Sequence, residues 1–317
     1  MPVVGVIGGG QLARMMIPPA VALGVEVRVL AEAADSSATL AATVVGDYRD
    51  PETVLGFARG CDAITFDHEH VPQEVLRALV DAGAAVRPGP DALLYAQDKL
   101  AMRARLAELG VPMPDWARVS SAAELGAFLD DHGARAVVKT PRGGYDGKGV
   151  RVVDEPGAAD DWLASGPVLV EELVPFRREL AQLVARRPSG EVRPWPVVET
   201  VQQNGVCAEV FAPAPHTTEA VERAAAEIAT TVAHGLDVTG VLAVELFETT
   251  NGRVLVNELA MRPHNSGHFS IEGSVTSQFE QHVRAVLDWP LGETELRAPA
   301  TVMINVFGAL PEHQIVA

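Results

Sequence analysis

Residues 240–260, GVLAVELFETTNGRVLVNELA, are the stretch of sequence that decides the fold. Two β-rich runs flank Asn251-Gly252, and Asn-Gly between such runs is the strongest short signal of a β-hairpin with a two-residue type I′ turn. Counting outward from that turn gives the expected cross-strand pairs: Thr250 with Arg253, Phe247 with Val256, and Glu245 with Glu258.

A pair of opposed carboxylates, Glu245 and Glu258, is the chemical consequence of that register. Their Cβ atoms would lie about 5 Å apart, where two unit charges repel by roughly 3 kcal/mol at an effective dielectric constant near 20. Mg²⁺ would offset this repulsion, because it typically binds one or two carboxylates together with substrate phosphates. The alternative is two exposed glutamates that splay into water, whereas the flanking leucines and valines indicate a buried hairpin. Asn257 would join this face only if a β-bulge interrupted the alternation.

A glycine-rich loop precedes the hairpin, between the predicted strands Ala136–Lys139 and Val150–Val153. Its four glycines allow successive backbone N–H groups to converge on an anion, and Lys139 and Lys148 add positive charge. The spacing is not that of a Walker A loop. The sequence therefore predicts a phosphate-binding lid, with a solvated hairpin tip as the alternative.

Residues 1–90 alternate short β-rich runs with helix-length segments, which predicts right-handed βαβ units and a parallel sheet. The first strand leads into Gly8-Gly9-Gly10-Gln11-Leu12-Ala13, and Glu32 ends the next one. This pattern is a weak indication of dinucleotide binding, and a tight turn used for packing alone explains it equally well. The expected strands are Val3–Ile7, Val25–Leu30, Asp62–Phe66 and Ala84–Val86.

The remaining sequence predicts an α+β arrangement that becomes antiparallel beyond Val168, with turns at residues 188–190 and 204–205. Residues 261–268, MRPHNSGH, contain two histidines at the i, i+4 spacing of a zinc pair. The proline, asparagine, serine and glycine around them favour a polar substrate-binding loop, with an ordinary surface turn as the alternative. The expected helices are Asp91–Leu109, Ala122–Asp131, Thr217–His234 and Ser274–Leu287.

Composition narrows the class of protein. A formal net charge of −17 argues against nucleic acid or an anionic membrane as a partner. The sequence has no apolar run of membrane-spanning length and begins without a signal-peptide pattern, so we expect a cytoplasmic protein. Its two isolated cysteines, Cys61 and Cys207, give no support for a disulfide framework or a structural zinc site.

A lysine strand, a glycine-rich lid and a paired-glutamate hairpin, in this order after an N-terminal α/β domain, together resemble the ATP-grasp superfamily. Within it, four motifs resemble the N5-carboxyaminoimidazole ribonucleotide synthase family. The resemblance spans essentially the whole chain, and the Asn-Ser-Gly-His ending of the last motif is specific to this carboxylase group. The motifs are Gly8-Gly9-Gly10-Gln11-Leu12, Phe66-Asp67-His68-Glu69-His70-Val71-Pro72, residues 143–149 (GGYDGKG) and residues 257–268 (NELAMRPHNSGH).

The resemblance implies an α/β and α+β fold. Residues 1–90 would form a parallel βαβ pre-ATP-grasp domain, and residues 91–165 and 166–297 the small and large lobes of a two-lobed ATP-grasp fold. Residues 298–317 would begin a C-terminal β-rich unit, which in the family supplies basic ligands for the ribonucleotide phosphate. Either the sequence is incomplete at Ala317 or this part of the substrate site is missing.

The resemblance also implies a reaction and its site. ATP and Mg²⁺ would drive the carboxylation of aminoimidazole ribonucleotide by bicarbonate through carboxyphosphate, in a homodimeric enzyme. Arg262, Tyr145, Asp146 and Lys148 would be catalytic, and Glu245 and Glu258 would bind the metal. The ribonucleotide would contact Glu69, Arg262, His264, Asn265 and Ser266, along with Tyr145 and Asp146. ATP would contact Lys99, Lys139, the lid (Gly144, Tyr145, Asp146, Gly147, Lys148, Gly149, Val150), Glu171, Glu172, Leu173, Val174, Glu179, Gln202, Asn257 and Glu258.

One departure and three competing functions accompany this prediction. Gln202 stands where some family members have histidine, which puts its ATP contact in doubt. The competing functions are an ATP-grasp ligase with another acid or amine, an NAD-dependent oxidoreductase and a nucleotide-binding regulatory protein without turnover.

Overall fold

The structure is a computed structural model that describes residues 1–144, 149–203 and 205–306. Its first part is a four-stranded sheet in the order β3-β2-β1-β4, in which every pairing is parallel. The predicted parallel βαβ organisation is therefore confirmed. The elements are β1 (Val3–Ile7), α1 (Gln11–Ala22), β2 (Glu26–Ala31), β3 (Ala42–Val45), α2 (Pro51–Ala58), β4 (Ala63–Phe66) and α3 (Gln73–Asp81).

Two details of this sheet differ from the sequence prediction. Residues 84–86 do not form a strand, because Val86 makes only an isolated parallel bridge with Ile64. The edge strand β3 was not predicted, since its four residues are largely exposed and carry no apolar alternation.

The helix predicted from Asp91 to Leu109 is instead two helices, α4 (Pro90–Gln97) and α5 (Lys99–Glu108). Asp98 separates them in an extended conformation, with φ −132° and ψ 106°. Its carboxylate accepts hydrogen bonds from the backbone N–H groups of Leu100 and Ala101 and so caps α5. This break places Lys99 in the first turn of a new helix.

A second four-stranded sheet, in the order β5-β8-β6-β7, is antiparallel. The predicted helix at residues 122–131 and both strands beside the glycine-rich loop are confirmed. Because β8 belongs to this sheet, the sheet extends past the predicted lobe boundary at residue 165. The elements are β5 (Trp116–Val119), α6 (Ala122–Asp131), β6 (Ala136–Lys139), β7 (Val150–Val153), α7 (Asp160–Leu163) and β8 (Val168–Glu172).

The third sheet is large and antiparallel, in the order β14-β13-β9-β11-β12-β15, with β10 paired to β9. Its elements are β9 (Phe176–Arg186), β10 (Val192–Pro194), β11 (Val198–Gln203), β12 (Val206–Ala212), α8 (Glu219–Gly235), β13 (Gly240–Thr249), β14 (Val254–Ala260), α9 (Ser270–Gly273), α10 (Gln278–Val286) and β15 (Thr301–Ile304).

Three further predicted segments lie in this sheet or next to it. The turn at residues 188–190 is confirmed, whereas residue 204 lies outside the described residues. The helix predicted from Ser274 begins only at Gln278, because Ser277 caps it with its side chain. Strand β15, expected to open a C-terminal unit, is the edge strand of this sheet, and residues 307–317 lie outside the described part of the chain.

Helix α10 joins the first sheet to the third. Phe279 and Val283 pack in the same apolar cluster as residues of β1 and α1. His282, fully buried, accepts a hydrogen bond from the backbone N–H of Val241 at Nδ1 (3.0 Å) and lies 2.7 Å from the Thr65 hydroxyl at Nε2. Burial lowers the pKa of His282 to about 3, so the ring is neutral. Its two nitrogens contact β4 and β13, and the ring therefore holds the first and third sheets in position relative to each other.

Within the described residues, no helix is both long and apolar enough to cross a membrane. Cys61 and Cys207 are both free thiols.

Candidate active site

A cavity of about 930 Å³ lies between the second and third sheets and the loop that follows β4. Residues that the sequence places far apart meet on its walls, which is the arrangement expected of a ligand site. The predicted site residues that line it are Glu69, Lys99, Lys139, Gly144, Val150, Glu171, Glu172, Leu173, Val174, Glu179, Gln202, Glu245, Asn257, Glu258, Arg262, His264 and Asn265.

The hairpin β13–β14 brings Glu245 opposite Glu258, as predicted, but by a different route. The two-residue type I′ turn is wrong: Gly252 has a positive φ of 81°, Asn251 is not among the residues with positive φ, and the Thr249 N–H donates to the Arg253 carbonyl. Near the turn the register is therefore shifted by one residue, so that Phe247 pairs with Leu255 rather than Val256.

A β-bulge at Asn257 restores the register. The pairing passes from Leu246 with Val256 directly to Glu245 with Glu258, which leaves Asn257 as the extra residue. Asn257 and Glu258 are neighbours in sequence, yet both line the cavity. The bulge that Asn257 required in order to join this face is confirmed.

Negative charge is concentrated around Glu245. Burial, followed by the charges of Glu258 and Glu179, raises the pKa of Glu245 to about 7. Glu179 itself is buried enough that its pKa is raised as well. The His264 Nε2 atom lies 3.3 Å from Glu245, but burial and the charge of Arg262 lower the pKa of His264 to about 3, so this contact brings no cation.

This donor set fits a divalent cation. Among the described residues, no group of three or more His, Cys, Asp or Glu side chains is arranged to hold a metal ion by itself. Two carboxylates with surplus negative charge, beside a cavity of nucleotide size, match the ligand preference of Mg²⁺, which usually takes its other ligands from phosphates and water.

Lys139, at the end of β6, lies in the opposite electrostatic environment. Its ammonium group is 2.9 Å from Glu171 and donates a hydrogen bond of 3.0 Å to the Asn257 side chain. Burial would raise the pKa of Glu171, but the charges of Arg103 and Lys139 hold it below its ordinary value. Lys99 approaches from α5 and lies 3.5 Å from Glu258. Two cations thus point at the wall that carries Asn257 and Glu258.

The predicted substrate loop, residues 261–268, is folded tightly against its surroundings. Arg262 forms an ion pair of 2.8 Å with Glu69, which reaches it from the loop after β4. The buried Gln278 side chain accepts from the His264 N–H and donates to the His264 carbonyl, both at 2.8 Å. Ser266 is 1% exposed and lies 2.9 Å from the His264 Nδ1 atom, so it lies behind His264 rather than on the cavity wall.

The two histidines of this loop do not act as a pair. His268 Nδ1 lies 2.9 Å from the Gln278 side chain, and its ring stacks on Phe279. Burial and the charge of Arg262 lower its pKa to about 4. His264 instead faces Glu245, so the zinc alternative finds no support in the geometry.

The N-terminal glycine turn does not offer a dinucleotide site. Asp67 occupies the start of α1, where its carboxylate accepts hydrogen bonds from the N–H groups of Gly10 (2.9 Å) and Ala13 (2.7 Å). A Cβ atom at Gly10 would lie 2.1 Å from that carboxylate, which explains the glycine. Glu32 is exposed and pairs with Arg49. A protein carboxylate therefore fills the position at which a pyrophosphate would bind.

The structure describes the two sides of the predicted lid. Tyr145, Asp146, Gly147 and Lys148 lie outside the described residues. Gly144 and Val150 line the cavity on either side of them, whereas Gly149 accepts a backbone hydrogen bond from Thr140 at the base of the loop.

Sequence reasoning missed three supporting residues, Arg103, Gln278 and Asp67. All three contact backbone groups or buried charges that are distant in the sequence. A charged residue in a helix, such as Arg103, ordinarily indicates a solvated face. One signal was available for Arg103: it follows Lys99 by four residues and so lies on the same face of α5.

Two domain families match the sequence. Residues 104–279 match the ATP-grasp domain, and residues 1–97 match the ribonucleotide synthetase preATP-grasp domain. The first match alone covers more than half of the chain.

Curated relatives agree with these matches. The chain is 53% identical to the N5-carboxyaminoimidazole ribonucleotide synthase of Mycobacterium leprae, over 97% of this chain and 73% of that protein. It is 52% identical to the enzyme of the same name from Corynebacterium ammoniagenes, over 98% of this chain and 78% of that protein.

Solved structures extend the similarity to the fold. The N5-carboxyaminoimidazole ribonucleotide synthetase of Thermus thermophilus superposes with a TM-score of 0.90 at 36% identity, over 97% of this chain and 84% of that one. The Aspergillus clavatus synthase in complex with ADP and 5-aminoimidazole ribonucleotide gives a TM-score of 0.88 at 31% identity, over 97% and 83% of the two chains.

Proposed function

We propose a role for each side chain of the cavity from the premise that this chain belongs to the N5-carboxyaminoimidazole ribonucleotide synthase family. The protein is an ATP-grasp enzyme of purine biosynthesis that carboxylates 5-aminoimidazole ribonucleotide to N5-carboxyaminoimidazole ribonucleotide. ATP and the ribonucleotide are its substrates. The chemistry divides into two steps, and different side chains of the cavity serve each of them.

The first step is phosphoryl transfer from ATP to bicarbonate. A bicarbonate oxygen attacks the γ-phosphorus, the bond to the β,γ-bridging oxygen breaks, and ADP and carboxyphosphate result. Lys99 and Lys139 lie where they would neutralise charge on the transferring phosphoryl group, and Asn257 adds an amide donor beside them. The role of the chain in this step is electrostatic and positional.

Glu245 and Glu258 are the proposed ligands of Mg²⁺. Two observations support this role. The carboxylates pair across the two strands, and the pKa of Glu245 is raised because its carboxylate is buried close to other negative charges. When bound, the cation supplies Lewis-acid stabilisation to the phosphate oxygens.

The second step is transfer of the carboxyl group to the amine of the ribonucleotide. Arg262, His264 and Asn265 line the cavity together with Glu245 and Glu258, and Glu69 orients Arg262 through their ion pair. The ring of His264 is neutral and can exchange hydrogen bonds with substrate without a strong charge of its own. The amine nitrogen attacks the carboxyl carbon, and phosphate leaves. Tyr145, Asp146 and Lys148 remain proposed members of this site from the family resemblance.

The ATP base and ribose are assigned by position. Residues 171–174 leave β8 along the cavity wall and would present backbone groups to adenine, while Glu179 lies on β9 and would accept from ribose hydroxyls. Gln202 also lines the cavity, which supports a nucleotide contact despite its difference from histidine. Ser266 would act through His264, because its hydroxyl is buried against that ring.

One observation carries the proposal: paired carboxylates, two lysines and the Arg262–His264 loop share one cavity. The test is ADP release measured with MgATP and bicarbonate, with and without aminoimidazole ribonucleotide. We expect bicarbonate-dependent ADP release that the ribonucleotide stimulates. ADP release that does not change with the ribonucleotide but rises with another amine would favour a different ATP-grasp ligase. Nucleotide binding without turnover would favour a regulatory protein.

Cytoplasmic location and a homodimeric assembly complete the proposal. The first is supported by the dependence on ATP and by the unpaired cysteines, and the second by the family resemblance. Sedimentation of the purified protein tests the assembly.

A further inference from the structure

Arg103 is a fully buried cation on helix α5, 0% exposed, and none of the assigned roles uses it. All three of its guanidinium nitrogens have partners. Nε donates to the Glu171 carboxylate at 2.5 Å, Nη1 donates to the Val256 carbonyl at 3.0 Å, and Nη2 donates to the Asn257 carbonyl at 2.7 Å. A charge this deep is costly unless it is paired and hydrogen-bonded, and each of the three nitrogens of Arg103 has such a partner.

These contacts form a closed ring of ion pairs and hydrogen bonds that includes two proposed phosphate-binding side chains, Lys139 and Asn257. Glu171 holds Arg103 with one carboxylate oxygen and the Lys139 ammonium group with the other. Lys139 in turn donates to the Asn257 side chain, and Asn257 returns to Arg103 through its own carbonyl. Moving any member of this ring therefore displaces Lys139 or Asn257.

Arg103 also supports the β-bulge. The two carbonyls that it binds belong to Val256 and Asn257, which stand where the pairing of β14 with β13 skips one residue. A bulge leaves backbone groups without ladder partners, and a planar guanidinium can satisfy two such acceptors at once. The same bulge turns both Asn257 and Glu258 toward the cavity.

We propose that Arg103 is a positioning residue for the nucleotide half of the active site, which fixes Lys139 through Glu171 and fixes Asn257 and Glu258 through the bulge. The inference rests on the proposed function, because it assumes that these side chains bind MgATP. It assigns no contact between Arg103 and substrate. The loop that carries Arg262 and His264 is held by Glu69 and Gln278 instead, so the ribonucleotide half should not depend on Arg103.

The informative substitution is Arg103→Lys. Lysine keeps the positive charge beside Glu171, but its three donors sit on one compact nitrogen and do not reproduce the planar fork that spans a carboxylate and two carbonyls. The matched control is Arg105→Lys on the same helix, because Arg105 is about one-third exposed and pairs with Glu108 and the Gly235 carbonyl away from the cavity.

Apparent KM values for MgATP and for the ribonucleotide, together with kcat, are measured by ADP release. For Arg103→Lys we expect the KM for MgATP to rise by about tenfold to a hundredfold, with the KM for the ribonucleotide changed less than about twofold. Arg105→Lys should match the wild type. An unchanged KM for MgATP would overturn the inference. An equal rise in both KM values would also overturn it, because that result indicates a loss of structure throughout the active site.

A second readout separates this inference from the proposed function. Displacement of a fluorescent ATP analogue by MgATP reports nucleotide affinity without turnover, and the Kd of Arg103→Lys should rise by the same factor as its KM. If the wild type released no ribonucleotide-dependent ADP, the proposed function would fail, yet a selective loss of MgATP affinity would still support the role of Arg103. Equal Kd values in the wild type and the variant would refute that role.

Discussion

Two acidic side chains on facing walls of the active-site cavity, Glu171 on β8 and Glu245 on β13, lie in opposite electrostatic environments. Glu171 lies between Arg103 and Lys139, and the pKa of its carboxyl group is held below the ordinary value although burial opposes this. At Glu245, burial and two neighbouring glutamates raise the pKa to about 7. The charge of Glu171 is balanced by two contacting cations, whereas the contact of Glu245 with His264 brings no cation.

This difference separates Glu171, whose role is structural, from Glu245, which we propose as a ligand of a cation. Removing a buried carboxylate that has two cationic partners leaves those cations uncompensated. A carboxylate among other carboxylates destabilises the fold while no cation is bound, and cation binding is the role that we propose for Glu245. Substitutions at the two positions should therefore have different consequences for activity and stability.

The largest effect is expected from Glu258→Gln, in the proposed metal site. The amide keeps the size of the side chain but removes one of the two proposed metal-binding charges. Phosphate release should fall by about a hundredfold to a thousandfold. Glu222→Gln, on the exposed face of α8, is the matched control and should retain wild-type turnover. Phosphate release near the normal rate in Glu258→Gln would refute the metal assignment.

Glu171→Gln tests the acid that is paired with two cations. Loss of this charge leaves Arg103 and Lys139 buried without their shared partner, so the free energy of unfolding should fall by about 3 kcal/mol. Urea denaturation measures the change. Glu172→Gln, the next residue on β8, should differ from the wild type by less than about 0.5 kcal/mol, because the hydrogen bond of its side chain is with the exposed N–H of Asp115. Equal effects of the two substitutions would contradict the contrast.

Glu245→Gln should have the opposite sign. The pKa of Glu245 is raised above its ordinary value of 4.5, so the stability it contributes is present below pH 4.5 and is lost as the pH rises through about 7. Glutamine removes the charge that appears above this range. Without metal or nucleotide, the variant should be more stable than the wild type by about 1 kcal/mol at pH 8, after allowance for solvent screening.

The pH dependence of that difference is the sharper test. Urea denaturation of both proteins at pH 4.5 and pH 8 should show the advantage of Glu245→Gln only at the higher pH. A variant that is less stable than the wild type at pH 8 would show that Glu245 is a structural acid like Glu171, and the contrast between the two acids would fail.

The hairpin shows how far sequence reasoning reached. Asn251-Gly252 indicated a reversal, and the Glu245–Glu258 pair was predicted correctly, but through two compensating departures from the expected register. The turn shifts the pairing by one residue, and the bulge at Asn257 shifts it back. Periodicity can suggest that a bulge is needed, but only tertiary contacts, here the bonds from Arg103, hold it in place.

Other differences have a similar origin. The break at Asp98 depends on a cap whose carboxylate also pairs with Arg142 beyond β6, a contact between residues 44 positions apart. The glycine turn of residues 8–10 suggested a phosphate site, and the deciding Asp67 carboxylate arrives from another strand. Local patterns predicted the parallel and antiparallel sheets well, whereas side chains that act across the fold carry little local signal.

The most direct test of the Glu245–Glu258 site is a crystal structure with Mn²⁺ and a non-hydrolysable ATP analogue. The account predicts an anomalous scattering peak for Mn²⁺ at about 2.1 Å from a carboxylate oxygen of each glutamate, with the nucleotide phosphates beside Lys139. A metal held only by phosphates or by other side chains, with Glu245 and Glu258 both unliganded, would contradict it.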